Sequence, residues 1–306
     1  MIKTGILLSC VGGLYTVDVE GELYPCRARG AFRHERISPL PGDTVEILLG
    51  EEGEEHAIRS IAQRKNVLIR PPLANLDVLM VVIAAAQPDP SLLIADKLIS
   101  IAEFHHIEPV IVLTKADLDP DFARSTAEAY RKCGFSAHAV CSADGTGIAG
   151  LKEEILTRFG DKISAAAGVS GAGKSTLINA LFGLQQETGE LSKKITRGKN
   201  TTRRAELFRL SSLCGNDSLT GYFADTPGFS LLDFERFNFY TKDDLPYVFR
   251  EFAPLLTTCR YTKCTHTKED GCSILSAVRA GDIPAFRHES YLSIYQDIKD
   301  KREWNS

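Results

Sequence analysis

Gly168-Val169-Ser170-Gly171-Ala172-Gly173-Lys174-Ser175 is the stretch that decides the fold. Glycines at this spacing let consecutive backbone N–H groups turn toward phosphates, and a helix beginning near Ser175 aims its positive end at them. The apolar run 163–167 in front supplies the strand that the motif requires, and 175–182 supplies the helix. Lys174 then reaches the β- and γ-phosphates, Ser175 puts its hydroxyl on Mg²⁺, and Thr176 follows in the same turn.

Two further motifs flank this loop, in an unusual order. Thr114-Lys115-Ala116-Asp117 precedes it and Asp225-Thr226-Pro227-Gly228 follows it. Each ends an apolar, strand-like run. The carboxylate of Asp117 can accept two hydrogen bonds from guanine N1 and N2 while the stem of Lys115 lies along the base. Adenine offers no matching donors, so a carboxylate there discriminates by being left unpaired. Cys141-Ser142-Ala143 completes the base pocket, with the Ala143 N–H meeting guanine O6. Asp225 can hold the Mg²⁺ shell, and the Gly228 N–H faces the γ-phosphate. These are the parts of a guanine-nucleotide switch with the base-reading segment moved ahead of the phosphate-binding one. Whatever follows residue 228 hangs directly off the loop that senses the terminal phosphate.

Residues 193–204 hold six basic side chains and no acidic one, with Thr201 and Thr202 among them. A threonine hydroxyl that joins the Mg²⁺ shell only with triphosphate bound is a usual first switch; the sequence leaves open which of the two does so. The basic run reads either as a solvated loop or as a nucleotide-gated RNA contact. Phe229 stands where many such switches carry a glutamine that orients the attacking water, so slow intrinsic hydrolysis is expected, with the missing group coming from another loop or a partner.

The 306 residues leave room for two or three domains, because single cores stop growing at about 250 to 300 residues. With 43% hydrophobic and 25% charged residues the chain is of ordinary globular composition. A net charge of −4 excludes a wholly electrostatic nucleic-acid binder, so any RNA contact must be local. Residues 1–10 run straight into strand-like sequence without a secretory cleavage site, and no stretch approaches the ~18 apolar residues of a membrane helix. A cytoplasmic protein, not a membrane one, is expected.

Short strand patterns at 14–19, 23–28, 45–49 and 56–61, punctuated by turns, predict a small β-barrel over 1–70, with the OB-fold as first choice. Arg27, Arg29, Arg33 and Arg36, with Phe32 and His34, fall on the predicted loop between two strands; they fit an RNA grip and a plain solvated loop alike. After Arg70-Pro71-Pro72, strands and helices alternate as in a parallel α/β sheet: strands at 78–85, 109–113, 137–141, 163–167, 205–210 and 221–224, and helices at 91–104 and 121–133. A central α/β domain over 71–230 and a mostly helical domain over 231–306 follow.

Of the eight cysteines, Cys10, Cys26, Cys133, Cys141 and Cys214 are scattered and read as reduced thiols. Cys259-x4-Cys264-x-His266-x5-Cys272 instead gives three thiolates and an imidazole, enough to close a tetrahedral Zn²⁺ shell. A closed shell points to one structural metal stapling a small helical domain.

With the permuted motifs, the barrel and the Cys-Cys-His-Cys cluster, nearly the whole chain resembles the RsgA (YjeQ) family of circularly permuted, small-ribosomal-subunit-dependent GTPases. That resemblance implies an OB-fold, a permuted P-loop GTPase domain and a zinc domain in series. It also implies a monomer that uses GTP/GDP with Mg²⁺ and contacts small-subunit rRNA through the barrel and zinc domain, late in subunit maturation. Members of that family commonly carry a histidine, proposed to help hydrolysis, just before the switch-one threonines; this chain has Asn200, which can orient a water but cannot act as a base at neutral pH. Thr114 stands where many GTPases have asparagine. Two other classes share the glycine loop: an ATP-dependent small-molecule kinase, and an RNA-binding scaffold whose nucleotide only stabilises the fold.

Overall fold

Alternation of apolar and polar side chains near the start of the chain becomes five strands: β1 (Ile2–Val11), β2 (Leu14–Val19), β3 (Glu22–Ala28), β4 (Thr44–Leu48) and β5 (His56–Ile61). The computed structural model describes residues 1–28, 32, 38–51, 55–69, 71–183, 205–226 and 240–299. The five strands close into a barrel in the order β1-β2-β3-β5-β4. β3 and β5 pair in parallel at the seam and the other pairs are antiparallel, which is the OB-fold expected. Inward-facing Leu7, Val17, Cys26, Val45, Ile47 and Ile58 fill it, none more than 1% exposed.

One turn ties the barrel to the segment that follows. Gly42 has φ +90°, and a Cβ there would lie 2.0 Å from the Ala74 carbonyl oxygen, so only glycine allows the approach. Ala74 belongs to a two-strand hairpin, β6 (Val67–Leu68) with β7 (Leu73–Ala74). Asp43, in the same turn, accepts from Arg64 Nε at 2.7 Å and Nη2 at 2.8 Å.

The remaining strands are β8 (Val78–Ala84), β9 (Glu108–Thr114), β10 (Ser136–Ala139), β11 (Ile163–Ala167), β12 (Glu206–Arg209) and β13 (Tyr222–Asp225). Among the described residues the α-helices are α1 (Leu92–Phe104), α2 (Pro120–Lys132), α3 (Ile148–Phe159), α4 (Lys174–Phe182), α5 (Leu210–Cys214), α6 (Ser273–Ala280) and α7 (Ala285–Ile298). Backbone packing divides the chain into two compact units. The first joins the barrel and its hairpin, through Val78, to 152–166 and 178–229; in it β11 lies parallel to β13, and β12 pairs antiparallel with β13.

The second unit comprises 79–151, 167–177 and 230–306. Its strands stand in the order β10-β9-β8, with β10 parallel to β9. Every residue of β8 is buried, as a continuous apolar run demands. α2 begins where Asp119 accepts the Phe122 N–H at 3.0 Å and Pro120 occupies the first turn, a position that needs no N–H donor. Among the described residues no helix is long and apolar enough to cross a membrane.

The C-terminal segment packs onto the helical layer of this second unit through a buried ion network. Arg287, fully buried on α7, donates to Asp96 of α1 at 2.5 Å and to Glu251 at 2.6 and 3.2 Å. Tyr130 of α2 donates to the same Asp96 oxygen at 2.9 Å, and the guanidinium lies 4.5 Å from the Phe249 ring centroid. Removing one partner of such a set leaves the others charged and unpaired in the interior. Arg287→Met is therefore expected to lower unfolding stability by about 3 to 5 kcal/mol, measured by urea denaturation; a loss under about 1 kcal/mol would mean the network contributes little.

Candidate functional site

The glycine loop runs from the end of β11 into α4, as its sequence requires. Gly168 has φ +150°, and a Cβ there would lie 2.3 Å from the Val82 carbonyl oxygen, so the loop starts pressed against β8. Ser170 and Gly171 are exposed at the loop's crest, Val169 is half-buried and Ala172 is buried. The Leu177 N–H donates to Gly173 O at 2.8 Å, which leaves the amides just before it as the donors a helix start does not satisfy internally. Ser175 and Thr176 are exposed in that first turn. Lys174 Nζ folds over the loop, donating to Gly168 O and Val169 O, each at 2.9 Å, and burial holds its pKa below the ordinary lysine value. A half-buried ammonium whose partners are neutral carbonyls, beside amides without helical acceptors, is a cradle that fits phosphate.

Segment 114–117 is bonded directly to this cradle. Buried Thr114, at the end of β9, donates its hydroxyl to Ala172 O at 2.6 Å. Gly173 follows with φ +85°, a left-handed backbone that favours glycine. Lys115 Nζ donates to Gly171 O at 3.0 Å and to Gln87 O. Asp117 is exposed beyond the strand end. Ala116 N donates to Val140 O at 3.2 Å, bringing the loop after β10 alongside. There, burial pushes the Cys141 thiol up; the neighbouring Asp117 carboxylate acts in the same direction, and the amides of Asp144 and Ala143 oppose it. Ser142 is half-buried and Ala143 exposed. Segments 114–117, 141–143 and 168–175 therefore lie together within the second unit.

Asp225, ending β13 in the first unit, stands opposite Glu206 of β12 in the sheet register. Burial, and secondarily the Glu206 charge, lift its pKa to about 6. A carboxylate so placed is relieved by a cation, which fits an Mg²⁺ ligand. Asn200, Thr201, Thr202, Gly228, Phe229, the basic run 193–204, and Arg29, Arg33, His34 and Arg36 lie outside the described residues.

Cys259, Cys264, His266 and Cys272 present their ligand atoms within 4.8 Å of one another. A tetrahedral zinc with Zn–S of about 2.3 Å and Zn–N of about 2.0 Å has S–S edges near ~3.8 Å and S–N edges near ~3.5 Å. Here Cys259 Sγ and Cys272 Sγ are 3.9 Å apart, and His266 Nδ1 lies 3.7 and 3.5 Å from them. The donor set fits zinc. Outer contacts fix the loop: His288 Nε2 bonds His266 O at 2.8 Å, Tyr291 donates to Thr265 O at 2.8 Å, and Glu269 accepts the N–H groups of Thr265 and Thr267.

Two partners in these sites were not read from sequence: the Gln87 carbonyl on Lys115 and Glu206 opposite Asp225. A backbone carbonyl leaves no sequence signal. Glu206 was legible in principle, lying at the start of a strand antiparallel to the one that Asp225 ends.

Residues 61–235 match the family model described as RsgA GTPase, and residues 4–56 match the RsgA N-terminal domain. The chain belongs to the RsgA family. It is thus a GTPase, a hydrolase of GTP. It is 37% identical over 303 residues to the small ribosomal subunit biogenesis GTPase RsgA of Geobacillus sp. (strain WCH70), covering 97% of this chain and 98% of that protein. With the protein of the same description from Caldanaerobacter subterraneus subsp. tengcongensis it shares 38% over 301 residues, covering 98% and 97%. Its structure is similar to YjeQ from Thermotoga maritima (TM-score 0.80, 31% identity, 99% of this chain and 100% of that one) and to YloQ, a circularly permuted GTPase (TM-score 0.77, 29%, 100% and 98%).

Thr114→Val keeps the side chain's shape and removes the hydroxyl, leaving the Ala172 carbonyl without its donor. A buried acceptor so stranded costs about 1 to 3 kcal/mol. GDP affinity, measured with a fluorescent nucleotide, is expected to fall by roughly 5- to 150-fold; an unchanged Kd would show that the latch does not hold the pocket.

Proposed function

We propose that the protein is a GTP-hydrolysing assembly factor of the small ribosomal subunit, bound to subunit rRNA in its triphosphate state and released after hydrolysis. The observation that carries this reading is the bonding of Thr114 and Lys115 to the phosphate loop. It supports a single guanine-nucleotide pocket in a chain whose relatives are named for small-subunit biogenesis.

In this reading the loop Gly168, Val169, Ser170, Gly171, Ala172 and Gly173 lines the phosphates, with the amides at the start of α4 donating to them. Lys174 neutralises the β- and γ-phosphates, and Thr176 assists in the same turn. Asp117, Lys115, Thr114, Ser142 and Ala143 hold guanine. Ser175, Asp225 and one of Thr201 and Thr202 hold Mg²⁺, which supplies charge neutralisation at the transferred phosphoryl group. Gly228 senses the γ-phosphate. Asn200 orients the attacking water in part, and the subunit supplies what Phe229 cannot. Loss of the γ-phosphate frees Gly228 and the threonine switch.

Three functional modules follow in series: 1–70 as an RNA-binding barrel, 71–230 as the switch, and 231–306 as a zinc-stapled RNA contact. One Zn²⁺ on Cys259, Cys264, His266 and Cys272 stabilises the last. The protein works as a cytoplasmic monomer.

GTP turnover titrated with purified subunits tests this. Stimulation by the small subunit and not by the large one is expected; equal stimulation by both, or by neither, contradicts it. For the metal, one zinc per chain is expected by elemental analysis, with a lowered melting temperature after chelation; a full-length protein that melts identically without zinc contradicts the stapling role.

A further inference from the structure

Away from the nucleotide pocket and the thiolate cluster, a buried carboxylate of the barrel is bonded to the sheet strands of the same unit. Asp18, on β2 of the barrel, accepts hydrogen bonds from the Gly21 N–H at 2.7 Å, the Tyr222 hydroxyl at 2.8 Å and Arg209 Nη1 at 3.1 Å. Arg209 of β12 and Tyr222 of β13 stand directly opposite in the antiparallel register. Cross-strand partners share a face, which is why both reach one carboxylate. Gly21 makes room for the contact, since a Cβ there would lie 2.8 Å from Arg209 Nη1. Burial raises the pKa of the Tyr222 phenol, so it stays protonated and donates.

Tyr222 opens β13 and Asp225 ends it, about 10 Å away at some 3.3 Å per residue. The strand is held on both sides, by β11 (Ile163 to Tyr222, Ser164 to Phe223, Ala165 to Ala224) and by β12. Three of its four residues are buried. A strand paired along both edges in a close-packed interior moves as a body and does not bend residue by residue. The barrel's grip on one end of β13 is therefore mechanically continuous with the carboxylate at the other end.

We propose that Asp18 is a positioning residue that couples the barrel to the strand carrying Asp225, so that RNA held by the barrel and the nucleotide state sensed at Asp225 influence each other through the Asp18–Tyr222–Arg209 contacts. This rests on the proposed function, in which the barrel binds RNA and Asp225 holds Mg²⁺. Such a coupling is reciprocal: the nucleotide state changes affinity for the subunit, and the subunit changes nucleotide affinity by the same factor.

The test uses full-length, zinc-loaded protein as parent, Asp18→Asn and Tyr222→Phe. Small-subunit affinity is measured with GDP and with a non-hydrolysable GTP analogue, next to subunit-free turnover and nucleotide Kd. In the parent the analogue favours subunit binding, by on the order of 5- to 150-fold for a coupling of this kind. In Asp18→Asn the ratio falls toward one while subunit-free turnover and nucleotide Kd stay at parent values; in Tyr222→Phe it falls part of the way. A merely structural Asp18 would lower the melting temperature and leave the ratio intact, and an unchanged ratio in both variants overturns the inference. If Asp18→Asn does not fold, Tyr222→Phe alone decides. A parent with no nucleotide preference for the subunit would instead overturn the proposed function, and this coupling with it.

Discussion

A hydroxyl and an ammonium, each donating to a backbone carbonyl, make the rest of this molecule intelligible. Thr114 bonds Ala172 O and Lys115 bonds Gly171 O, joining segments more than fifty residues apart in sequence. Circular permutation places segment 114–117 upstream of the glycine loop, and these bonds hold the two together regardless of chain order. Both acceptors are peptide carbonyls, so the join depends on loop geometry and not on any side chain of residues 171 and 172. The glycines on either side give the loop the backbone angles that turn those carbonyls toward Thr114 and Lys115.

The C-terminal segment is attached by different chemistry. Arg287, Asp96, Glu251 and Tyr130 form a buried charged network between α7 and the helices of the second unit. Ion sets of this kind are seldom a large source of net stability, because desolvating the charges offsets their attraction. Their directional bonds instead fix how α7 sits against α1 and α2. The thiolate–imidazole cluster packs on the same aromatic core through His266, Phe252 and Tyr291. The Cys/His cluster and segments 114–117 and 141–143 thus belong to one compact unit.

Much of this was legible in the sequence wherever a single pattern sufficed. Strands 14–19, 56–61 and 163–167 have the bounds that alternation and apolar runs predict. The predicted strand 205–210 is cut at Arg209 because Leu210 starts a short helix, and 137–141 ends at Ala139 because Cys141 turns into the base-pocket loop. The helix expected from 121 starts at Pro120, which Asp119 caps. Helix 148–159 and the hairpin 67–74 went unread, the latter because two-residue strands carry no periodicity. The nucleotide motifs and the metal cluster were readable because their chemistry fixes residue type and spacing together. The Arg287 network and the Asp18 contacts were not, since their partners lie dozens to hundreds of residues apart and only the fold brings them together.

The central claim is that Asp117 reads guanine in a pocket completed by the phosphate loop. Replacing Asp117 with asparagine exchanges an acceptor for a donor at the position facing the base's two-substituent. Xanthine carries an oxygen there where guanine carries an amine, so competition between GDP and xanthosine diphosphate for the Asp117→Asn protein is the direct measurement. The account predicts loss of GDP affinity and gain of xanthosine diphosphate affinity. A variant that binds GDP as tightly as the parent would contradict it.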